Sequence, residues 1–194
     1  TRDPRLCRSR LYAFAQPFVW IADEVQRRDG LRMILSHTQR IPPESLDQRI
    51  KNFHWLDLTM GIFEAYDRDA TIALLPAADG TVTEGPGFNV FVVRNGTLAT
   101  PRRGLFEGMT RRTVMEIAEA LQLRVEVRSV QAREVAEADE IFISSTAGGI
   151  MPVVNYEGRP VGNGRPGPLT RRIEELYWAR HEEPALSTPV PYAD

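Results

Sequence analysis

Of the 24 basic residues in the chain, 23 are arginine and one is lysine, Lys51. A GC-rich genome that favours arginine codons accounts for the bias, but not for the exception. A guanidinium stays protonated in proteins and cannot form a Schiff base, so arginine replaces lysine only where a cation suffices. A single retained primary amine is a candidate for covalent chemistry on a carbonyl group, with an ordinary surface lysine as the alternative. Further on stand a carboxylate in a glycine-rich turn, Glu84-Gly85-Pro86-Gly87, and two hydroxyl-bearing segments, Gly108-Met109-Thr110-Arg111 and Ser145-Thr146-Ala147-Gly148-Gly149. Read alone, the first is a plain turn and Thr110 an ordinary helix N-cap. A helix N-terminus also presents free amides and partial positive charge to a phosphate dianion, and capping and phosphate binding can share those amides.

These residues need elements to hold them. Leu11 to Ala22 is rich in aromatic and β-branched residues and reads as a buried strand or extended crossover, and Leu31 to Ser36 as a second strand. Ile41-Pro42-Pro43 stops regular structure and leads into the Lys51 segment. Trp55, Leu58, Ile62 and Phe63 recur at helical spacing over 54–65. Asp79-Gly80 and Asn95-Gly96 are hairpin signals and imply strands near 71–75, 81–84, 88–94 and 97–100. A helix is expected over 110–121, a half-buried strand over 123–127, a short helix near 132–138 and a strand over 140–144. A hairpin turns at Glu157-Gly158, and a last helix starts at Pro168 with Leu169, Ile173, Leu176 and Tyr177 on its apolar face. Many short strands with interspersed helices indicate a mixed α+β fold.

In their order and spacing, Lys51-Asn52-Phe53-His54-Trp55, Glu84-Gly85-Pro86-Gly87-Phe88-Asn89, Gly108-Met109-Thr110-Arg111 and Ser145-Thr146-Ala147-Gly148-Gly149 resemble the class IV (fold-type IV) pyridoxal-phosphate-dependent aminotransferases, over about 11–178. That family includes branched-chain, D-amino-acid and (R)-selective amine transaminases. The resemblance implies a barrel-like, mixed-strand large domain that binds pyridoxal 5'-phosphate. It also implies ping-pong transfer of an amino group between an amine, or a branched-chain or D-amino acid, and a 2-oxo acid. Lys51 then carries the cofactor and shuttles a proton, which needs an amine whose pKa is lowered by desolvation or nearby positive charge. Glu84 faces the pyridine nitrogen and keeps it protonated, so that the ring can take up electrons. Gly85 and Gly87 let backbone pass close to the ring. Met109, Thr110 and Thr146, with Ser145 beside them, bind the phosphate end; Phe53, Trp55, Ala147 and Gly148 face the substrate. Gly149 and Phe88 stand where the branched-chain enzymes commonly carry acidic residues, which leans towards the amine transaminases. Trp55 stands near a common tyrosine, and an indole cannot mimic a phenol.

The resemblance also implies a smaller N-terminal domain that supplies an arginine to the phosphate. No stretch here is long enough for it, so a missing region is expected, with 1–17 as the end of that domain plus interdomain segment and 18–194 as the large domain with a loose tail after Glu183. A homodimer is expected by the same analogy, and a cytoplasmic location from the single cysteine, Cys7, together with the absence of a visible signal peptide. His37, His54, His181 and Cys7 lack metal-ligand spacing, so no metal is expected. His54 is read as structural, and the Arg pairs 27–28, 102–103, 111–112 and 171–172 as solvated or salt-bridged faces. With 26 acidic residues against 24 basic ones, and no apolar run of membrane-spanning length, neither nucleic acid nor membrane is an expected partner. Two alternatives remain open: a pyridoxal-phosphate lyase of the aminodeoxychorismate lyase type, and a cofactor-free binding module.

Overall fold

The computed structural model describes residues 1–14 and 17–189. Two short apolar runs, β1 (Leu31–Leu35) and β2 (Ile72–Leu74), pair in parallel with Met33 opposite Ile72. Parallel neighbours need a long crossover, and here it contains the Lys51 segment and helix α2 (Leu56–Asp67). On its other edge β1 pairs in parallel with β8 (Gly149–Tyr156). The sheet continues antiparallel through β7 (Glu140–Ser145) and β4 (Phe88–Arg94) to β5 (Thr97–Pro101), then parallel to β6 (Val125–Arg128). A two-residue strand, β3 (Glu84–Gly85), pairs with β4. Leu75, just past β2, closes the path by donating from its amide to Glu84 O and accepting from Thr83 N, both at 3.0 Å. The order β2–β1–β8–β7–β4–β3 therefore returns on itself, which is the barrel-like mixed sheet expected.

Alternation along the strands fills this ring. Leu31, Met33, Leu74, Val90, Val92, Ile141, Ile143, Met151 and Val153 form one buried core inside it. Their odd-even partners Phe91, Val93, Phe142 and Ile150 point outward beneath α3 (Met109–Ala120) and α5 (Pro168–Ala179). Ile34, Ala73 and Leu75 face α2. The Asn95-Gly96 and Glu157-Gly158 turns take left-handed backbone at both residues, and the second leads into β9 (Arg159–Pro160). Pro168 opens α5 as expected, and the Glu140 carboxylate accepts from the amides of Leu169 and Thr170, tying the helix to β7.

Several expectations need correction. Leu11, Tyr12, Phe14, Phe18 and Val19 are exposed and lie in no regular element, so the buried-strand alternative for this segment does not hold. Its docked end is Ile21, whose amide donates to Ala147 O at 2.8 Å; β8 beside it already pairs on both edges with β1 and β7. Ala15 and Gln16 lie outside the described residues, as does the tail over 190–194. In α2 the buried face is Leu58, Gly61 and Ala65, while Phe63 is 59% exposed. The small residues decide this: a Cβ at Gly61 would sit 2.9 Å from Leu75 Cδ1, so the helix lies close on the sheet through its narrow face. The edge strand β6 begins at Val125, and α4 (Ala132–Ala136) stops short of 138. Helix α1 (Glu24–Asp29), absent from the sequence reading, is nucleated by a capping box between Asp23 and Gln26.

Phe91 and Phe142 are fully buried and stack with ring centroids 4.9 Å apart, at the centre of the core under α3 and α5. Phe142→Ala is expected to lower the unfolding free energy by about 3–5 kcal/mol, read by urea denaturation.

Candidate active site

A cavity of about 390 Å³ opens on the outside of the ring, between the start of α2 and the start of α3. Its walls come from Arg40 and from four stretches far apart in sequence: the Lys51 loop with Trp55 and Leu58, the turn between Glu84 and Asn89, the start of α3 with Phe106, and Ser144–Ala147. Lys51 arrives on a loop shaped by its own polar groups. The Asn52 side chain donates to Ile50 O and accepts from the His54 amide, both at 2.8 Å, which fixes the backbone on either side of the lysine. Upstream, the buried Gln48 side chain donates to Ile41 O. Lys51 Nζ lies 4.9 Å from the centre of the Phe106 ring, a cation–π contact at the cavity wall.

Glu84 also lines the cavity and is 5% exposed. Its Oε2 accepts from the Phe106 amide at 2.8 Å, and its Oε1 pairs with the Arg40 guanidinium at 3.0 Å. Arg40 is itself buried and shared: its Nη1 donates to Asp57 Oδ2 at 2.6 Å. Asp57 Oδ2 also accepts from the Ile41 amide, and Oδ1 from the Leu58 amide, both at 2.8 Å. One guanidinium thus serves two buried carboxylates, which leaves the cluster one negative charge in excess. Burial pushes the Glu84 carboxyl above its ordinary value of 4.5; the Phe106 amide and Arg40 hold that rise down, and Asp57 adds to it.

At the other end, Gly108 caps α3 and packs on the Asn89 side chain; a Cβ there would overlap Asn89 Oδ1. Asn89 Nδ2 donates to Phe106 O at 2.8 Å, so the Phe106 backbone is clamped between Glu84 and Asn89. Thr110 is buried in the first turn and Met109 is 73% exposed, and both line the cavity. Arg111 points away from it and is buried, donating to Thr100 Oγ1 and Pro101 O at 3.2 and 2.9 Å, with burial pushing the guanidinium below its ordinary value. That corrects the solvated reading of Arg111; Arg112 does pair on the surface with Glu116.

The structure brings Lys51, Glu84, Met109, Thr110, Ser145, Thr146, Trp55 and Ala147 to one cavity. Phe53 is fully exposed and outside its lining, because the Asn52 turn directs it outward. Gly148 is also outside the lining: its closeness serves packing, since a Cβ would overlap the Met151 methyl group and meet Ile21 Cγ2 at 2.8 Å. The Ser145 hydroxyl is occupied by Gly87 O at 2.8 Å and holds the two loops together. Gly85 is required by the Phe88 ring and Ala73 O, which a Cβ would overlap, and Gly87 by a φ of +81°. Sequence reading missed Arg40, Asp57, Asn89 and Ser144, which only strand register and loop closure bring to the site.

Removing the shared cation strands two buried carboxylates, so Arg40→Met is expected to destabilise the fold by about 3–5 kcal/mol at neutral pH. The sign of the pH dependence follows from Glu84. Its folded pKa lies above the unfolded value of 4.5 and rises further without Arg40, so stability is lost as pH climbs from 4.5 through the folded value. Urea titrations at a series of pH values should show the penalty shrinking as pH falls towards 4.5.

Comparison with known proteins places this geometry. The model of the amino-transferase class IV family matches residues 1–156. A Methanocaldococcus jannaschii protein provisionally named a branched-chain-amino-acid aminotransferase is 30% identical over 178 residues, 90% of this chain and 60% of its own length. The D-alanine aminotransferase of Bacillus licheniformis is 36% identical over 127 residues, 64% of this chain and 44% of its own length. The crystal structure of the branched-chain amino acid aminotransferase from Thermobaculum terrenum, in its PLP-bound holo form, superimposes with a TM-score of 0.76 at 34% identity, covering 82% of this chain and 53% of that one. The chain therefore spans about half the length of the relatives it matches. With the family model covering most of the chain and the same fold in a solved relative, the chain belongs to the class IV aminotransferases.

Proposed function

We propose that this chain is the cofactor-holding part of a pyridoxal-phosphate-dependent aminotransferase, which moves an amino group between an amine or amino acid and a 2-oxo acid. The observation that carries this reading is the convergence of the sole lysine, a buried carboxylate and a helix N-terminus on one cavity.

The residues present fit the cofactor. The charge cluster under Glu84 is one negative charge in excess, which suits a cationic ring nitrogen. Ser144 Oγ, buried in the cavity floor, has no hydrogen-bond partner within the protein. Arg40 is the one arginine in the lining and is committed to Glu84 and Asp57, so among the described residues the phosphate end relies on amides and hydroxyls. When bound, the cofactor supplies a carbonyl that captures amines and a ring that takes up electrons from a bond broken at the substrate carbon. Lys51 Nζ is the group that would hold the cofactor, and its amine would serve as the base that moves a proton. Glu84 accepts the ring N–H, and Arg40 and the Phe106 amide fix its orientation. The Thr110 and Thr146 hydroxyls and the first amides of α3 bind the phosphate. Trp55 and Ala147 wall the substrate side.

Phe88, which lines the cavity where the branched-chain enzymes commonly carry an acidic residue, supports an amine as donor; Gly149 lies outside the lining and packs against Trp178 and Tyr177. The relatives named above are aminotransferases, which favours transfer over the lyase reading. Leu56, Met60 and Phe63, exposed along one stripe of α2, support the homodimer expected of the family. Among the described residues no helix is long and apolar enough to cross a membrane.

The test is to incubate the protein with pyridoxal phosphate, a 2-oxo acid and a panel of amines and amino acids. Formation of the amino acid matching the 2-oxo acid is expected; pyruvate with an aromatic amine would instead indicate a lyase. Lys51→Arg keeps the charge but not the proton shuttle, and should slow transfer by at least about 10²–10⁴-fold.

A further inference from the structure

The floor of the cavity is a lateral rung of three strands. Glu84 on β3 is paired with Asn89 on β4, and Asn89 with Ser144 on β7. Residues in register across neighbouring strands point to the same face, so these three polar side chains form one row, ended by the apolar Ile150 on β8. Two of the three are engaged by the protein: Glu84 by Arg40 and the Phe106 amide, and Asn89 through its Nδ2 by Phe106 O. The third is not. Ser144 is 2% exposed, lines the cavity, and its Oγ has no hydrogen-bond partner. A buried hydroxyl left unsatisfied is unfavourable, which makes it a group awaiting a ligand atom.

We infer that the Ser144 hydroxyl is a phosphate ligand, donating to an oxygen of the cofactor's phosphate beside the α3 N-terminus. This rests on the cofactor reading above. Position along the rung assigns the atom. Ser144 lies two strands from Glu84, about 10 Å between backbones at ordinary strand spacing. Glu84 takes the ring nitrogen, so Ser144 stands at the far, phosphate end. Its rung neighbour Asn89 packs directly on Gly108, the cap of α3, and Ser144 is two residues from Thr146 on the same chain. A free hydroxyl there matters because the single arginine of the lining is spent on carboxylates.

The test uses Ser144→Ala with pyridoxamine 5'-phosphate and pyridoxamine, which cannot bond covalently to Lys51 and differ only in the phosphate. Calorimetric titration of the unmodified chain and the variant should show about tenfold weaker binding of the phosphorylated ligand in the variant. Pyridoxamine affinity should stay unchanged. The melting temperature of the ligand-free variant should equal or exceed that of the parent, because the substitution removes an unsatisfied buried group. Equal affinity of both proteins for pyridoxamine 5'-phosphate overturns the inference. So does a parallel loss for both ligands, or a lowered melting temperature without ligand, since either marks a structural role. If the unmodified chain binds neither pyridoxamine 5'-phosphate nor pyridoxal phosphate, the cofactor reading itself falls, and the inference with it.

Discussion

A carboxylate buried at the floor of a cavity must be compensated or it takes up a proton, and the site is organised around that constraint. Glu84 is held by Arg40, and Arg40 by Asp57, whose backbone partners tie it to the loop after β1 and the first turn of α2. The same carboxylate accepts the Phe106 amide, which fixes the wall against which Lys51 rests. Three segments separated by tens of residues are thus locked together through one guanidinium. The compensation is incomplete: two carboxylates against one cation leave a demand for positive charge that, on the proposed reading, a protonated ring nitrogen would meet. Burial pushes the Glu84 carboxyl above its ordinary value.

The closed sheet makes this arrangement possible. Because the ring fills its own interior with aliphatic side chains, its outward face is free to present a polar row at one end and an aromatic core at the other. Phe91 and Phe142 continue, two residues along, the faces that carry Asn89 and Ser144. Packing of α3 on that core therefore sets where its N-terminus lies relative to Glu84. Core stability and site geometry share the same two strands.

Much of this was legible in the sequence, for reasons that can be named. Hairpin turns at Asn95-Gly96 and Glu157-Gly158, the strands over 88–94 and 140–144, and the Pro168 start of α5 are local signals, and the structure agrees with them. Lys51 stood out because arginine replaces every other basic residue, and Glu84, Thr110 and Thr146 because their motifs recur in order. What escaped depends on distance. Arg40 and Asp57 lie 44 and 27 residues from Glu84, and no local pattern links them. Ser144 becomes a site residue only through register with Asn89. By composition Leu11 to Ala22 reads as a buried strand or an extended crossover; Tyr12, Phe14 and Phe18 are exposed, and β8 beside its docked end already pairs on both edges. The same blindness to packing misplaced Phe53 and the apolar stripe of α2, where Gly61 and Ala65 decide which face turns inward.

The central claim is that the cavity seats pyridoxal phosphate on Lys51. The most direct measurement is to incubate the protein with the cofactor, reduce with borohydride, and map the modified peptide by mass spectrometry. The account predicts a pyridoxyl group on Lys51 and none in Lys51→Ala. Folded protein that carries no label at Lys51, or carries it equally after the substitution, would contradict it.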